Sequence, residues 1–164
     1  MKCVQCDNHK SLKKRATTLK YKQCGLDNVT LRGVEYFKCD QCGEEYFGFG
    51  DQEQLHALIA HVLLQKKGLL IGKEIRFLRT YLGYSSGIFA KLAGYTKETL
   101  SRFENGKVPI SKTLNILIRA LVATKLPDRR YDFHDLLLHH AGESHQQRIE
   151  LDARSGDWRL KQAA

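Results

Sequence analysis

Four of the chain's five cysteines fall in two tight pairs, Cys3-Val-Gln-Cys6 and Cys39-Asp-Gln-Cys42, with 32 residues between them. A two-residue spacer lets both sulfurs of a pair point to one side of a knuckle. Two knuckles together supply four thiolates in a tetrahedron, the arrangement structural zinc prefers. The pattern predicts that Cys3, Cys6, Cys39 and Cys42 hold one Zn2+ ion per chain. A thioredoxin-like redox pair needs a single Cys-x-x-Cys at the start of a helix, and neither pair opens a helical pattern. With every position taken by sulfur, no place is left for water or substrate, so the zinc is expected to organise structure and not to catalyse. Cys24, in "YKQCGLDN", lies away from both knuckles and reads as a spare thiol.

Between the knuckles, "LKYKQCG" and "VTLRGVEYFKC" are rich in Val, Thr, Tyr and Phe and flank the turn-forming "GLDN", which predicts two strands. Residues 1–50 therefore read as a small β-rich zinc ribbon. Residues 51–70 read as a connecting helix, with Asp51 as N-cap, Gln54 completing a capping box, Leu55, Leu58, Ile59, Val62 and Leu63 on one face, and Gly68 as the terminating residue. Gly68 and Gly72 bracket "LLI", the expected boundary.

Residues 71–126 carry four helical patterns: "KEIRFLRTYLG", "SGIFAKLAG", "KETLSRFENG" and "SKTLNILIRALVA". Ser111 is the N-cap of the last, whose Leu114, Leu117, Ile118, Leu121 and Val122 share a face. The central two meet across "GYT", where Thr96 is a ready N-cap and Gly94 supplies the backbone freedom of a sharp turn. A short helix, a glycine turn and a second helix form the helix-turn-helix arrangement, whose second helix enters the DNA major groove. In residues 127–164, "YDFHDLLLHHAG" predicts a short helix and "QRIELDARSGDWRLKQ" a β-hairpin around "RSGD", with Trp158 as a packing anchor. His134, His139, His140 and His145 do not share a helical face and do not predict a second metal site.

Charge supports the same division. Residues 1–70 carry 11 Lys and Arg against 8 Asp and Glu, residues 71–126 carry 10 against 3, and residues 127–164 carry 6 against 7, so the middle segment holds +7 of the net +9. A surplus confined to one segment suits a phosphate-binding surface. The longest apolar run, "LHALIAHVLL", is too short and too amphipathic to span a bilayer. The N-terminus lacks the apolar core of a secretory signal, and paired cysteines suit a reducing compartment, so a cytoplasmic location is expected.

"YSSGIFAKLAGYTKETLSRFENGK" resembles the helix-turn-helix core of the lambda-repressor-like, or XRE-type, DNA-binding domains through Ala90, Gly94 and the run Thr99 to Gly106. Joined behind a four-cysteine ribbon, the chain resembles over about residues 1–124 the YgiT/MqsA-type family of bacterial antitoxins and regulators. The resemblance implies a small N-terminal zinc ribbon and an all-α helix-turn-helix domain; with the C-terminal helix and hairpin read from the residue pattern, which lie outside the resemblance, the expected fold class is α+β. The resemblance implies that Lys97, Glu98, Thr99 and Arg102 meet base edges. Their chemistry agrees, since Arg donates twice to guanine, Glu accepts from cytosine and Thr offers a hydroxyl and a methyl. Leu100 and Phe103 are expected to face the core. Asn105 is implied to bind phosphate, with Ser85 and Ser86 where the preceding helix approaches the DNA backbone. Many relatives place Gln where Ser86 stands, so the long amide that braces phosphate and recognition helix together is missing. Arg79 and Glu104 match positions that form a structural ion pair.

The sequence thus points first to a transcriptional regulator that binds a double-stranded operator as a homodimer. The alternative is an antitoxin whose ribbon binds and neutralises a cognate toxin while the helix-turn-helix autoregulates the operon. An enzyme is not expected, for want of a nucleophile, base and orienting set or a phosphate-cradling glycine loop.

Overall fold

The computed structural model describes residues 3–6, 13–126, 146–154 and 157–161. Among these residues the architecture is α+β, with strands in the first and last stretches of regular structure and five helices between them. The helix expected over "YDFHDLLLHHAG" and the four histidines of that region lie outside the described residues.

Strands β1 (Lys13–Lys20) and β2 (Val29–Lys38) pair antiparallel, and β3 (Glu45–Gly48) adds to β2 beside the second cysteine pair. The first strand runs earlier than "LKYKQCG" suggests. Its "KKRATT" stretch is mostly polar and exposed, with no buried alternation to announce it, while Lys22 to Gly25 form a turn closed by Gly25 N–H on the Lys22 carbonyl at 2.9 Å. Cys24 therefore sits in a turn, where its thiol donates to the Tyr21 carbonyl at 3.3 Å.

The expected C-terminal hairpin is present as β4 (Ile149–Arg154) and β5 (Asp157–Leu160), and it joins the ribbon's sheet. β4 pairs parallel with β2, Val29 opposite Ile149 and Arg32 opposite Asp152, giving a five-stranded sheet in the order β1-β2-β4-β5 with β3 also on β2. Among the described residues, all five helices thus lie in the crossover between two neighbouring strands. One flank of β2 is shared, with β4 on residues 29–32 and β3 on residues 35–38. Gly33 is where the change occurs. Across it the inward parity switches from Val29 and Leu31 to Val34, and the register with β1 slips between Thr17 and Leu19, as a β-bulge requires. Its φ of +69° suits glycine, and an added Cβ would stand 3.0 Å from the Ala153 carbonyl oxygen.

Helix α1 (Gln52–Gln65) starts at Asp51, whose carboxylate accepts from the Glu53 and Gln54 amides. Gln54 does not complete a capping box; its side-chain oxygen accepts from Trp158 N–H at 2.7 Å, and the Trp158 indole donates to the Phe49 carbonyl at 2.8 Å. These bonds fasten β5 to α1. Nor does Gly68 end the helix, which stops at Gln65. A buried arginine takes over that role, as Arg119 donates to the carbonyls of Leu63 at 3.1 Å, Leu64 at 2.5 Å and Gly68 at 2.9 Å.

Four further helices follow: α2 (Gly72–Tyr81), α3 (Ser86–Leu92), α4 (Lys97–Glu104) and α5 (Lys112–Lys125). Ser85, Thr96 and Ser111 cap α3, α4 and α5 through their hydroxyl oxygens. One buried core runs from Leu31 and Trp158 of the sheet through Leu55 and Ile59 of α1 to Ile75, Leu100 and Ile118. Gly72 is not a linker residue but the first of α2, seated on the end of α4. A Cβ there would lie 2.3 Å from the Phe103 carbonyl oxygen and 2.7 Å from that of Glu104. Replacing glycine by alanine in a helix ordinarily gains up to about 1 kcal/mol. At Gly72 the neighbours are backbone and cannot swing aside, so Gly72→Ala is expected to cost about 1–3 kcal/mol. Chemical denaturation of the two proteins reads the sign directly.

Candidate metal centre and helical face

The four paired cysteines converge. Their sulfurs lie within 4.8 Å of one another, with Cys3 Sγ 3.5 Å from Cys42 Sγ and Cys6 Sγ 3.7 Å from Cys39 Sγ. A sulfur tetrahedron around zinc, at Zn–S of about 2.3 Å, has an edge of about 3.8 Å, which these separations approach. They far exceed the roughly 2.05 Å of a disulfide, and the cysteines are free thiols. The set can therefore hold one metal ion, in an arrangement consistent with zinc.

Local structure presents the sulfurs. Gly43 N–H donates to the Cys39 carbonyl at 3.0 Å and Cys39 N–H to the Glu44 carbonyl at 2.9 Å, which folds the second pair into a knuckle at the β2–β3 turn. Tyr46 of β3 reaches the first pair: its hydroxyl accepts from Val4 N–H at 3.1 Å and donates to Cys3 Sγ at 3.2 Å. That bond is the main reason the Cys3 thiol falls to about 6, assisted by the Cys6 and Gln5 amides against desolvation. Amides of Cys42 and Gln41 lower Cys39 likewise. Cys42 shifts the other way; the Glu44 amide pulls it down, but desolvation and the neighbouring Cys3 and Cys39 raise it. Four crowded thiols cannot all ionise alone, and a divalent cation removes that conflict. Cys24 takes no part, and burial raises its thiol. Tyr46 is the contributor that spacing did not reveal; its only sequence signal is an aromatic four residues after Cys42.

On α4, Lys97, Glu98, Ser101 and Arg102 are exposed and Thr99 is partly so, while Leu100 and Phe103 are buried. Two of the expected base readers are also engaged at the helix start. Thr99 N–H donates to Thr96 Oγ1 at 3.1 Å, with the two hydroxyls also 3.1 Å apart. The Glu98 carboxyl lies below its usual range because its own backbone N–H and then the Thr96 hydroxyl donate to it. Lys97 and Arg102 are the extended cations of this face. On α3, Ser85 Oγ accepts from Ile88 N–H at 3.3 Å, and Ser86 is half-buried.

Behind α4, Glu104 is 5% exposed and takes two arginines of α2: Arg79 Nε at 2.6 Å and Nη2 at 3.2 Å, and Arg76 Nε at 3.2 Å. Arg79 Nη1 also donates to the Tyr84 carbonyl at 2.7 Å, tying α2 to the start of α3. Asn105 is exposed, but its side chain is engaged within the protein, its amide nitrogen donating to the Ser101 carbonyl at 2.8 Å and hydroxyl at 3.2 Å, its oxygen accepting from Arg76 Nη2 at 2.8 Å. Of the ten basic residues in 71–126, only Arg79 and Arg119 are not exposed.

A four-thiol unit on a small sheet, packed on five helices with a basic outer surface, defines a metal-binding class of α+β protein. The profile of MqsA_antitoxin, described as the antitoxin component of a bacterial toxin–antitoxin system, matches residues 1–129, so the chain belongs to the MqsA antitoxin family. No curated protein and no solved structure matches the chain. Among the described residues, no helix is long and apolar enough to cross a membrane.

Proposed function

We propose that this chain is the antitoxin of a toxin–antitoxin pair and that it carries two separable binding activities. The sheet organised by a structural zinc on Cys3, Cys6, Cys39 and Cys42 binds and neutralises the toxin. Helices α3 and α4 act as an XRE-type helix-turn-helix that autoregulates the operon as a homodimer on DNA. The family match carries the reading, because it spans both the cysteine unit and the helices. It also reverses the order in which the sequence ranks the two functions: antitoxin comes first and operator binding serves it. We read the chain as cytoplasmic and non-catalytic, the zinc closed by four sulfurs.

Co-expression tests the leading half. A small protein encoded beside this chain should arrest growth when expressed alone, and the chain should relieve the arrest. Arrest that persists with the chain in excess removes the antitoxin reading.

The DNA half rests on the cationic outer face of α4. Arg102→Ala should cost about 1–3 kcal/mol at one operator position and relax specificity there, and Lys97→Ala should do the same at a neighbouring position. Both side chains are exposed, so both variants should fold. Selection from a random DNA pool measures this; an unchanged consensus for both variants at unchanged affinity means that α4 is not the reading helix.

A further inference from the structure

We infer that Arg76, on the outer side of α2, supplies the DNA-phosphate contact at the end of α4 that the resemblance places on Asn105. The inference rests on the DNA-binding half of the proposed function. The Asn105 amide nitrogen is already engaged by Ser101, donating to its carbonyl at 2.8 Å and approaching its hydroxyl at 3.2 Å. A phosphate that recruited Asn105 would compete with these bonds at the end of α4. Arg76 is placed differently. Its guanidinium is held at two points, Nε on Glu104 at 3.2 Å and Nη2 on the Asn105 oxygen at 2.8 Å, yet its side chain remains 50% exposed. A guanidinium has five N–H donors, so three remain.

The charge balance identifies Arg76 as the surplus cation. Glu104 is nine-tenths buried and is already matched by Arg79, which is 12% exposed and donates to both of its oxygens at 2.6 and 3.2 Å. One carboxylate between two guanidiniums leaves a net positive charge, and it lies on the arginine that faces solvent. Lys107 and Arg102, which flank Glu104 and Asn105 in the chain, are exposed, the Lys107 amide donating to the Arg102 carbonyl at 2.9 Å. A planar fork pre-oriented by an acid and an amide is suited to bidentate recognition of phosphate oxygens. The ligand class is the phosphodiester backbone of a duplex, contacted without regard to base. Arg76 thus also performs the bracing between phosphate and recognition helix for which Ser86 is too short.

The test is binding of labelled duplex DNA at several salt concentrations by the zinc-loaded full chain and by Arg76→Gln, Arg76→Lys and Asn105→Ala. Arg76→Gln should weaken binding to every duplex by about tenfold at low salt, the scale of a lost charged hydrogen bond. It should also flatten the log–log salt slope by about one per chain. Arg76→Lys should keep the slope, and Asn105→Ala should lose much less than Arg76→Gln. An unchanged slope and affinity in Arg76→Gln, with wild type binding normally, overturns the inference alone. A loss in Asn105→Ala equal to that of Arg76→Gln, and found again when Asn105→Ala is added to Arg76→Gln, returns the contact to Asn105 and also overturns it. Wild type without salt-dependent DNA binding overturns the DNA reading, and this inference with it.

Discussion

Cys39→Ser is expected to empty the metal site and to melt the far half of the sheet while the helices stay folded. Zinc bound by small units contributes about 10–16 kcal/mol of apparent free energy, comparable to the roughly 5–15 kcal/mol that holds a whole domain together. Near the cysteines there is little else. Lys13 to Ala16 of β1 are exposed, and the ion pairs there, Lys13 with Asp40 and Lys38 with Glu45, are exposed too and worth little. Toward the helices the position is reversed, since Tyr21, Leu26, Val29, Leu31 and Val34 are buried in the shared core and β4 pairs with β2. The boundary should therefore fall near the Gly33 bulge. Metal content should drop from about one zinc per chain, the capacity of a single four-thiolate site, to near zero. Amide exchange should accelerate across 36–47 and remain slow in 55–64. Loss of protection in α1 and α5 as well would mean that metal and core form one cooperative unit.

The second large effect is expected at Glu74. This carboxylate is wholly buried, 2.7 Å from the equally buried Lys66 Nζ, and accepts from Ile71 N–H at 2.9 Å. Arg119, 1% exposed, feels its field: desolvation lowers the guanidinium to about 10, and Glu74 works against that fall. The group joins the end of α1, the start of α2 and the middle of α5. Glu74→Ala leaves two buried cations with no counter-charge, and breaking such a pair costs about 3–5 kcal/mol. Because the bonds span the junction between the sheet's helix and the remaining helices, a drop in the single unfolding midpoint is expected. The denaturation curve checks it; a change below about 1 kcal/mol, the range of exposed pairs, would mean that water reaches these charges.

Much of this was legible because the signals were local. Two-residue cysteine spacers, side-chain caps at Asp51, Thr96 and Ser111, and the apolar faces of α1 and α5 each depend on a few adjacent residues. What could not be read depends on residues far apart in the chain. Parallel pairing of β2 with β4 joins segments more than 100 residues apart, and nothing within "QRIELDAR" states which strand it will meet. Gln54 looked like a capping residue because its spacing from Asp51 was right, but Trp158 competes for the same amide. Gly68 looked like a helix stop because its alternative, Arg119, lies 51 residues further on. A signal for that arginine did exist: Asn115, Ile118, Arg119 and Val122 share the buried face of α5, and polar residues on an apolar face call for buried partners. For the site, cysteine spacing marked the ligands but not Tyr46, and the family pattern named Asn105 without showing that its amide is already engaged.

The two activities proposed for the chain are most directly separated by amide hydrogen exchange of the zinc-loaded protein, alone and with an equimolar amount of the small protein that the co-expression test identifies as its toxin. Protection is predicted on the strands around the metal, residues 13–20 and 29–48, with α3 and α4 unchanged and still able to bind DNA. Protection confined to 85–107, with the metal-bearing strands exchanging as before, would contradict the account, because the toxin would then occupy the face assigned to DNA.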